Sequence, residues 1–294
     1  MYAQACCAAS QTAGPVRLSP GQVASAGVSV DGRLYTGRFD GTSYRAQKRT
    51  NQELRQTLFA ARRLGDSWEV GGTAPFVQSR RTTEQQSEWG GGLGDVSVQG
   101  RYELVTTGMS MSWPGIGVVF SAVAPTGRSP ADSMARGHTL LQSDVTGQGW
   151  WRLGVGGQAE WTPRNCFVAI EGGVAQAVWE GQAERAREVR PLPDLSGRLS
   201  AGRPVGMSLF WDDVLYLAAS VTVAQNTGDR IDGSWRSDAA ERSVAVQLQA
   251  GGYLSQHWYV MARGEYVPPI DGLGQNRQVG PAVGVTVRRV FYAN

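Results

Sequence analysis

The run Val96-Ser97-Val98-Gln99-Gly100-Arg101-Tyr102-Glu103-Leu104 sets Val96, Val98, Tyr102 and Leu104 on one parity and Ser97, Gln99, Arg101 and Glu103 on the other. Successive side chains of an extended chain point to opposite faces, so this run reads as a strand with one apolar and one charged face. The run from Ser243 to Leu254 repeats the pattern, with Val244, Val246, Leu248 and Ala250 opposed by Ser243, Gln247, Gln249 and Tyr253.

Extending this reading in both directions gives twelve strands: roughly Ala24 to Arg38, Gln52 to Arg63, Trp68 to Arg80, Asp95 to Val105, Gly115 to Pro125, Trp150 to Trp161, Cys166 to Trp179, Leu195 to Val205, Val214 to Gln225, Arg242 to Leu254, Trp258 to Pro268 and Val279 to Tyr292. Most globular strands have about five or six residues, whereas a tilted strand needs about nine to eleven to cross a bilayer. These segments have the longer length. The connections alternate as well: tight turns at Gly65-Asp66-Ser67, Pro163-Arg164-Asn165 and Ser255-Gln256-His257 oppose long polar stretches at Arg128 to Gly149, Glu180 to Asp194 and Thr227 to Glu241. Short periplasmic turns and longer extracellular loops are the asymmetry of bacterial outer-membrane barrels. The expected fold is therefore all-β, a closed antiparallel transmembrane β-barrel of about twelve strands over residues 22–294. Both termini are periplasmic in this expectation, and residues 1–21 form an N-terminal periplasmic segment or short plug.

Tryptophan placement agrees. Trp68, Trp113, Trp161, Trp211 and Trp258 fall beside short turns, while Trp150, Trp151 and Trp179 fall at the opposite strand ends, as two aromatic girdles would require. A soluble sandwich or lipocalin-like barrel would bury its tryptophans centrally.

Composition narrows the function classes. Thirty-nine glycines suit many strands and turns, and the net charge of +3 is spread along the chain, unlike the basic stripe of a nucleic-acid binder. No run of apolar residues is long enough for a membrane-spanning helix. The first residues, Met1 to Ala5, lack a charged and then apolar leader, so a signal peptide is expected to have been removed, with the bacterial outer membrane as destination. Outer-membrane lipids and lipopolysaccharide are the expected surroundings, and a monomer is favoured. Three cysteines, Cys6, Cys7 and Cys166, are too few for a disulfide scaffold. Neither a metal site nor a cofactor is expected.

With the apolar parity toward lipid, the other parity names the lumen: Asp31, Arg33, Arg55, Gln99, Arg101, Glu103, Arg152, Glu171, Arg198, Gln247, Arg263, Glu265 and Arg288, with Glu53, Glu69, Glu160 and Gln249 beside them. Charges inside a narrow barrel must be paired or solvated. Two outcomes satisfy that demand: a neutralised network that fills the barrel, or a polar track past Arg101, Glu103, Arg263 and Glu265. No catalytic residues are expected, because the two histidines, His138 and His257, fall in connections and no Gly-x-Ser-x-Gly elbow occurs.

Three glycine-rich motifs, Gly92-Leu93-Gly94-Asp95, Ala124-Pro125-Thr126-Gly127 and Thr146-Gly147-Gln148-Gly149-Trp150, resemble the outer-membrane barrels grouped under the MetA pathway of phenol degradation, which look related to the long-chain fatty-acid transporters. The resemblance implies a channel for passive uptake of small hydrophobic or aromatic solutes, without catalytic residues, and an N-terminal segment that enters the lumen. The competing expectation is a structural or adhesive barrel with a filled lumen and partner-binding loops.

Overall fold

The computed structural model describes residues 17–19, 21–106, 113–135, 141–163, 166–180, 189–205, 215–226, 229–231, 234–236 and 240–292. In chain order the strands are β1 (Gln22–Asp40), β2 (Ser43–Leu64), β3 (Trp68–Thr82), β4 (Ser87–Leu93), β5 (Val96–Val105), β6 (Gly115–Ala124), β7 (Trp150–Trp161), β8 (Phe167–Glu180) and β9 (Val189–Pro191). Then come β10 (Asp194–Val205), β11 (Leu215–Asn226), β12 (Asp229–Ile231), β13 (Ser234–Arg236), β14 (Glu241–Ser255), β15 (Trp258–Tyr266), β16 (Gln278–Val279) and β17 (Ala282–Tyr292). One short helix, α1 (Pro130–Ala135), lies between β6 and β7.

Fourteen of these strands share one antiparallel sheet; β4 and β16 only lengthen it against β3 and β1, which leaves twelve in the ring. The ring closes because β1 pairs with β2 on one side and with β17 on the other, from Gln22 opposite Tyr292 to Arg33 opposite Ala282. Hydrocarbon offers no partner to an open sheet edge, so a membrane-spanning sheet has to close. The strands β9, β12 and β13 make a separate small sheet among the connections.

Burial runs opposite to that of a protein in water. Along β5, Val98 and Leu104 are 52% and 58% exposed, whereas Arg101 and Glu103 are 5% and 8% exposed. Leu58, Leu248 and Val283 are likewise exposed while Gln247 and Arg288 are buried. Apolar side chains on the outer wall and charges within fit a sheet surrounded by lipid. At two inner glycines a neighbouring ring fills the space: Gly27 lies opposite Phe59, and Gly202 opposite Phe167, and a Cβ on either glycine would meet that ring within 2.8 Å.

Besides the small sheet of β9, β12 and β13, which forms within stretches expected as loop, three features differ from expectation. Residues 39–51, expected as a connection, continue β1 and β2 to a tight turn at Gly41 and Thr42, with Phe39 opposite Tyr44 and Asp40 opposite Ser43. Both faces of Ser43–Thr50 are largely polar, so alternation could not mark them as strand; Gly41, at φ 59°, provides the left-handed turn residue. The strand expected at Asp95 has a predecessor, β4, which pairs with the outer half of β3 while β5 pairs with the inner half. Finally, α1 falls within the stretch expected as loop. Ser129 accepts from the Asp132 N–H at 3.2 Å, Asp132 accepts from the Ser129 N–H at 3.1 Å, and Pro130 opens the first turn. This reciprocal cap with a first-turn proline is readable in Ser129-Pro130-Ala131-Asp132.

Candidate functional site

The lumen is built differently at its two ends. At the end that holds Gln22 and Tyr292, inward side chains from β2, β3, β5 and β7 form a dense ionic network. Glu69 takes Arg63 Nη2 at 2.5 Å and Arg101 Nη1 at 3.3 Å, and Arg101 Nη1 also reaches Glu103 Oε1 at 2.5 Å. Gly117 leaves room for this guanidinium, because a Cβ there would lie 3.2 Å from Arg101 Nε. The Gln158 amide, turned with its oxygen toward Arg101, accepts from Nε and Nη2 at 2.7 Å. Arg17, Leu18 and Ser19, outside the sheet, are all buried, and Arg17 joins the network. Arg17 pairs with Glu160, and its carbonyl accepts from Arg288 Nη1 at 3.1 Å. Arg288 is 1% exposed and lies 5.1 Å over the Tyr259 ring. Desolvated charges are costly unless paired, and the ion pairs of Arg17 with Glu160 and of Arg101 with Glu69 and Glu103 supply that pairing.

Beyond this network the lumen opens into a cavity of about 770 Å³. Its wall combines Val77, Val119 and Val123 with the side-chain-free positions Gly154, Gly156 and Gly173. Gln99, Arg152, Glu171 and Arg198 also line it. Arg152 contacts Asp194 and Gln148; Arg198 donates to Gln247 Oε1 at 2.8 Å, which Gln249 also reaches at 2.9 Å.

A second interior pocket, of about 350 Å³, is bounded by β1, β2, β15 and β17. The two cavities share Glu53 and Arg55. Two ion pairs span β17 here. Asp31 on β1 meets Arg263 on β15, with Nε to Oδ1 at 2.7 Å and Nη2 to Oδ2 at 2.5 Å, while Arg33 meets Glu265. The residues of β17 between them are Gly284 and Ala282, small enough to let the pairs meet above the intervening strand.

The three glycine-rich motifs converge in space. The Thr126 hydroxyl donates to the Gly94 carbonyl at 2.7 Å and accepts from the Val96 N–H at 3.0 Å. Asp95 accepts from the N–H groups of Gly127 at 3.0 Å and Gln148 at 2.8 Å, and Thr146 donates to the Leu93 carbonyl at 2.7 Å. A Cβ on Gly147 would sit 2.3 Å from Asp95 Oδ1 and 2.8 Å from Gly127 Cα, so the close approach of the two connections requires glycine. This knot binds the connection after β6 to the point where β4 gives way to β5. Asp144 secures the same connection through Ser133 and Arg128, the latter at 2.7 Å.

The structure thus divides the residues expected in the lumen. Arg101, Glu103 and Arg288 belong to the network near the termini; Gln99, Arg152, Glu171 and Arg198 line the larger cavity; Asp31, Arg33, Arg263 and Glu265 line the smaller one, and Arg55 joins the two. Gln247 is buried and bonded to Arg198. No ion pair among the described residues joins Arg101 and Glu103 to Arg263 and Glu265, so these four do not form one constriction. Parity could not reach Arg17, which is on no strand, while Arg63, left out of the expected residues, shares the lumen parity of Glu53 and Arg55 on β2. Trp68, Trp161 and Trp258 stand half-exposed at strand ends, Trp113 is exposed before β6, and Trp150 and Trp151 open β7. Trp179 lies near the end of β8. Trp211, His138, Cys6 and Cys7 lie outside the described residues. Cys166 is a free thiol that donates to the Pro163 carbonyl at 3.1 Å. The His257 ring meets the Val290 carbonyl and the Tyr292 ring.

A closed twelve-stranded sheet with an apolar outside and a charged interior defines the class: an outer-membrane β-barrel. Among solved structures the chain is similar to an outer membrane channel from Pseudomonas putida F1, with a TM-score of 0.72 at 12% identity, over 95% of this chain and 98% of that one. It is also similar to the translocator domain of the autotransporter NalP from Neisseria meningitidis, with a TM-score of 0.50 at 14% identity, over 91% and 88% of the two chains. No family model and no curated protein matches. At these identities the likeness speaks for the fold, and the fold is the one that the glycine-rich motifs pointed to.

Proposed function

We propose that this barrel is a channel for passive uptake of small hydrophobic or aromatic solutes. The observation that carries this reading is the cavity of about 770 Å³ inside the ring, where valines and bare glycine backbone lie among polar and charged side chains. That mixture suits a solute with an apolar body. Residues 1–21 act as a short plug in this reading, supported by the burial of Arg17, Leu18 and Ser19 against the network near the termini. The apolar outer wall is covered by outer-membrane lipid and lipopolysaccharide, and the barrel works as a monomer.

The alternative of a structural or adhesive barrel is favoured by one observation, the ionic filling around Glu69, Arg101 and Glu160. Intact cells lacking other general porins, with and without this chain, separate the two when supplied with a radiolabelled monoaromatic solute. The channel reading expects faster uptake with the chain, and higher single-channel conductance in planar bilayers once residues 1–19 are removed. Equal uptake together with absence of conductance in both forms would favour the structural barrel.

A further inference from the structure

The smaller interior pocket carries a charge surplus with a specific source. Its three acids are all occupied: Asp31 by Arg263, Glu265 by Arg33, and Glu53 by Arg55 at 3.2 Å. Glu53 is engaged twice more, by Arg81 at 3.9 Å and by the Tyr35 hydroxyl at 3.0 Å. A fourth lining arginine, Arg277, has no carboxylate partner among the described residues; its Nη1 donates to the Ser243 hydroxyl at 3.0 Å. Arg277 is fixed in place by backbone pairing, because its carbonyl accepts from the Phe39 N–H at 2.9 Å and β16 follows it directly onto β1. Arg55 shares its single acid with Arg81, and its side chain is still 48% exposed.

We infer that this pocket is a binding site for a small organic monoanion, a carboxylate above all, held between Arg55 and Arg277. A guanidinium held in a partly desolvated site keeps its charge, and its planar fork matches the two oxygens of a carboxylate. The filled acids cannot neutralise Arg277, so an incoming anion supplies the missing partner. The shared boundary at Glu53 and Arg55 lets the apolar body of the same solute lie against Val77 and the glycines of the larger cavity. This deepens the channel reading by giving its solute an acidic group, and it rests on that reading only for the claim that the bound anion is cargo.

Equilibrium dialysis of the detergent-solubilised barrel with radiolabelled benzoate tests the site, with benzyl alcohol as the uncharged control of similar shape. Saturable benzoate binding is expected, with benzyl alcohol held about tenfold more weakly, the worth of one charge-assisted contact. Arg277→Gln and Arg55→Gln should each weaken benzoate by a similar factor and leave benzyl alcohol unchanged, and Arg277→Lys should recover part of the loss. Retention of the folded, heat-modifiable gel band identifies variants that still form the barrel. Equal binding of the two probes, or benzoate binding that survives the double Gln variant, would overturn the site. Planar-bilayer conductance of the same preparations is read separately. Binding without conductance, both in the full chain and after removal of residues 1–19, sinks the channel reading and leaves the anion site standing, whereas conductance without benzoate preference does the reverse.

Discussion

Gly284 shows how single residues set this lumen. A Cβ there would lie 1.9 Å from Asp31 Oδ1 and 3.1 Å from Arg263 Nε, so the pair across β17 exists because its middle strand carries no side chain. Gly284→Ala should push the two charges apart and lower stability by about 1–3 kcal/mol, the usual range for overpacking. Gly264→Ala is the control, since nothing lies within 4 Å of a Cβ at that position. Urea midpoints of the two variants check the expectation, and equal midpoints would show that the bridge contributes nothing. Alternation made Asp31 and Arg263 legible as lumen residues because both are on regular strands. It could not show that they meet, since their contact depends on which strands flank β17. Nor could it reach Arg17, whose place is set by Glu160 and Arg288 rather than by any period.

At the scale of elements, strand rhythm was legible because lipid outside and charge inside impose a strict two-residue period on every transmembrane segment. The rhythm fails where neither constraint acts. The outer arms of β1 and β2 are polar on both faces, and the connection after β6 is held by side-chain hydrogen bonds that follow no strand period. Asp144 is the clearest case. Burial pushes its carboxyl up, but hydrogen bonds from Ser133 and Arg128 and the Arg128 charge outweigh that and hold it below its ordinary 3.8. A carboxyl depressed on folding stabilises the fold fully above its unfolded value, and the contribution is lost as pH falls through the folded one. The connection over residues 125–149 should therefore stay closed at neutral pH and loosen only below about pH 3.8. Asp144→Asn, which removes the charge, should loosen it already at pH 7. Hydrogen exchange of this segment reads the difference, and matching protection in variant and parent at pH 7 would contradict it.

For the whole molecule, closure joins β1 to β17 and places Gln22 and Tyr292 at one end, the end where β2 and β3 are joined by Gly65–Ser67 and β14 and β15 by Gln256–His257. At the other end the connections carry α1, β4 and the sheet of β9, β12 and β13, elements too large to be simple turns. Even strand number follows from antiparallel closure, and it forces both termini to the same side. Which side that is depends on the membrane: bacterial barrels keep short turns in the periplasm and long connections outside. Thr42, at the tip of the β1–β2 hairpin, and Ser255, beside the turn before β15, are both exposed and lie at opposite ends. In a background with the three native cysteines replaced by serine, Thr42→Cys should react with an impermeant maleimide on intact cells. Ser255→Cys should react only after the outer membrane is permeabilised. The reverse pattern would turn the barrel over, place Arg17 at the outer mouth, and require the anion pocket to face the periplasm.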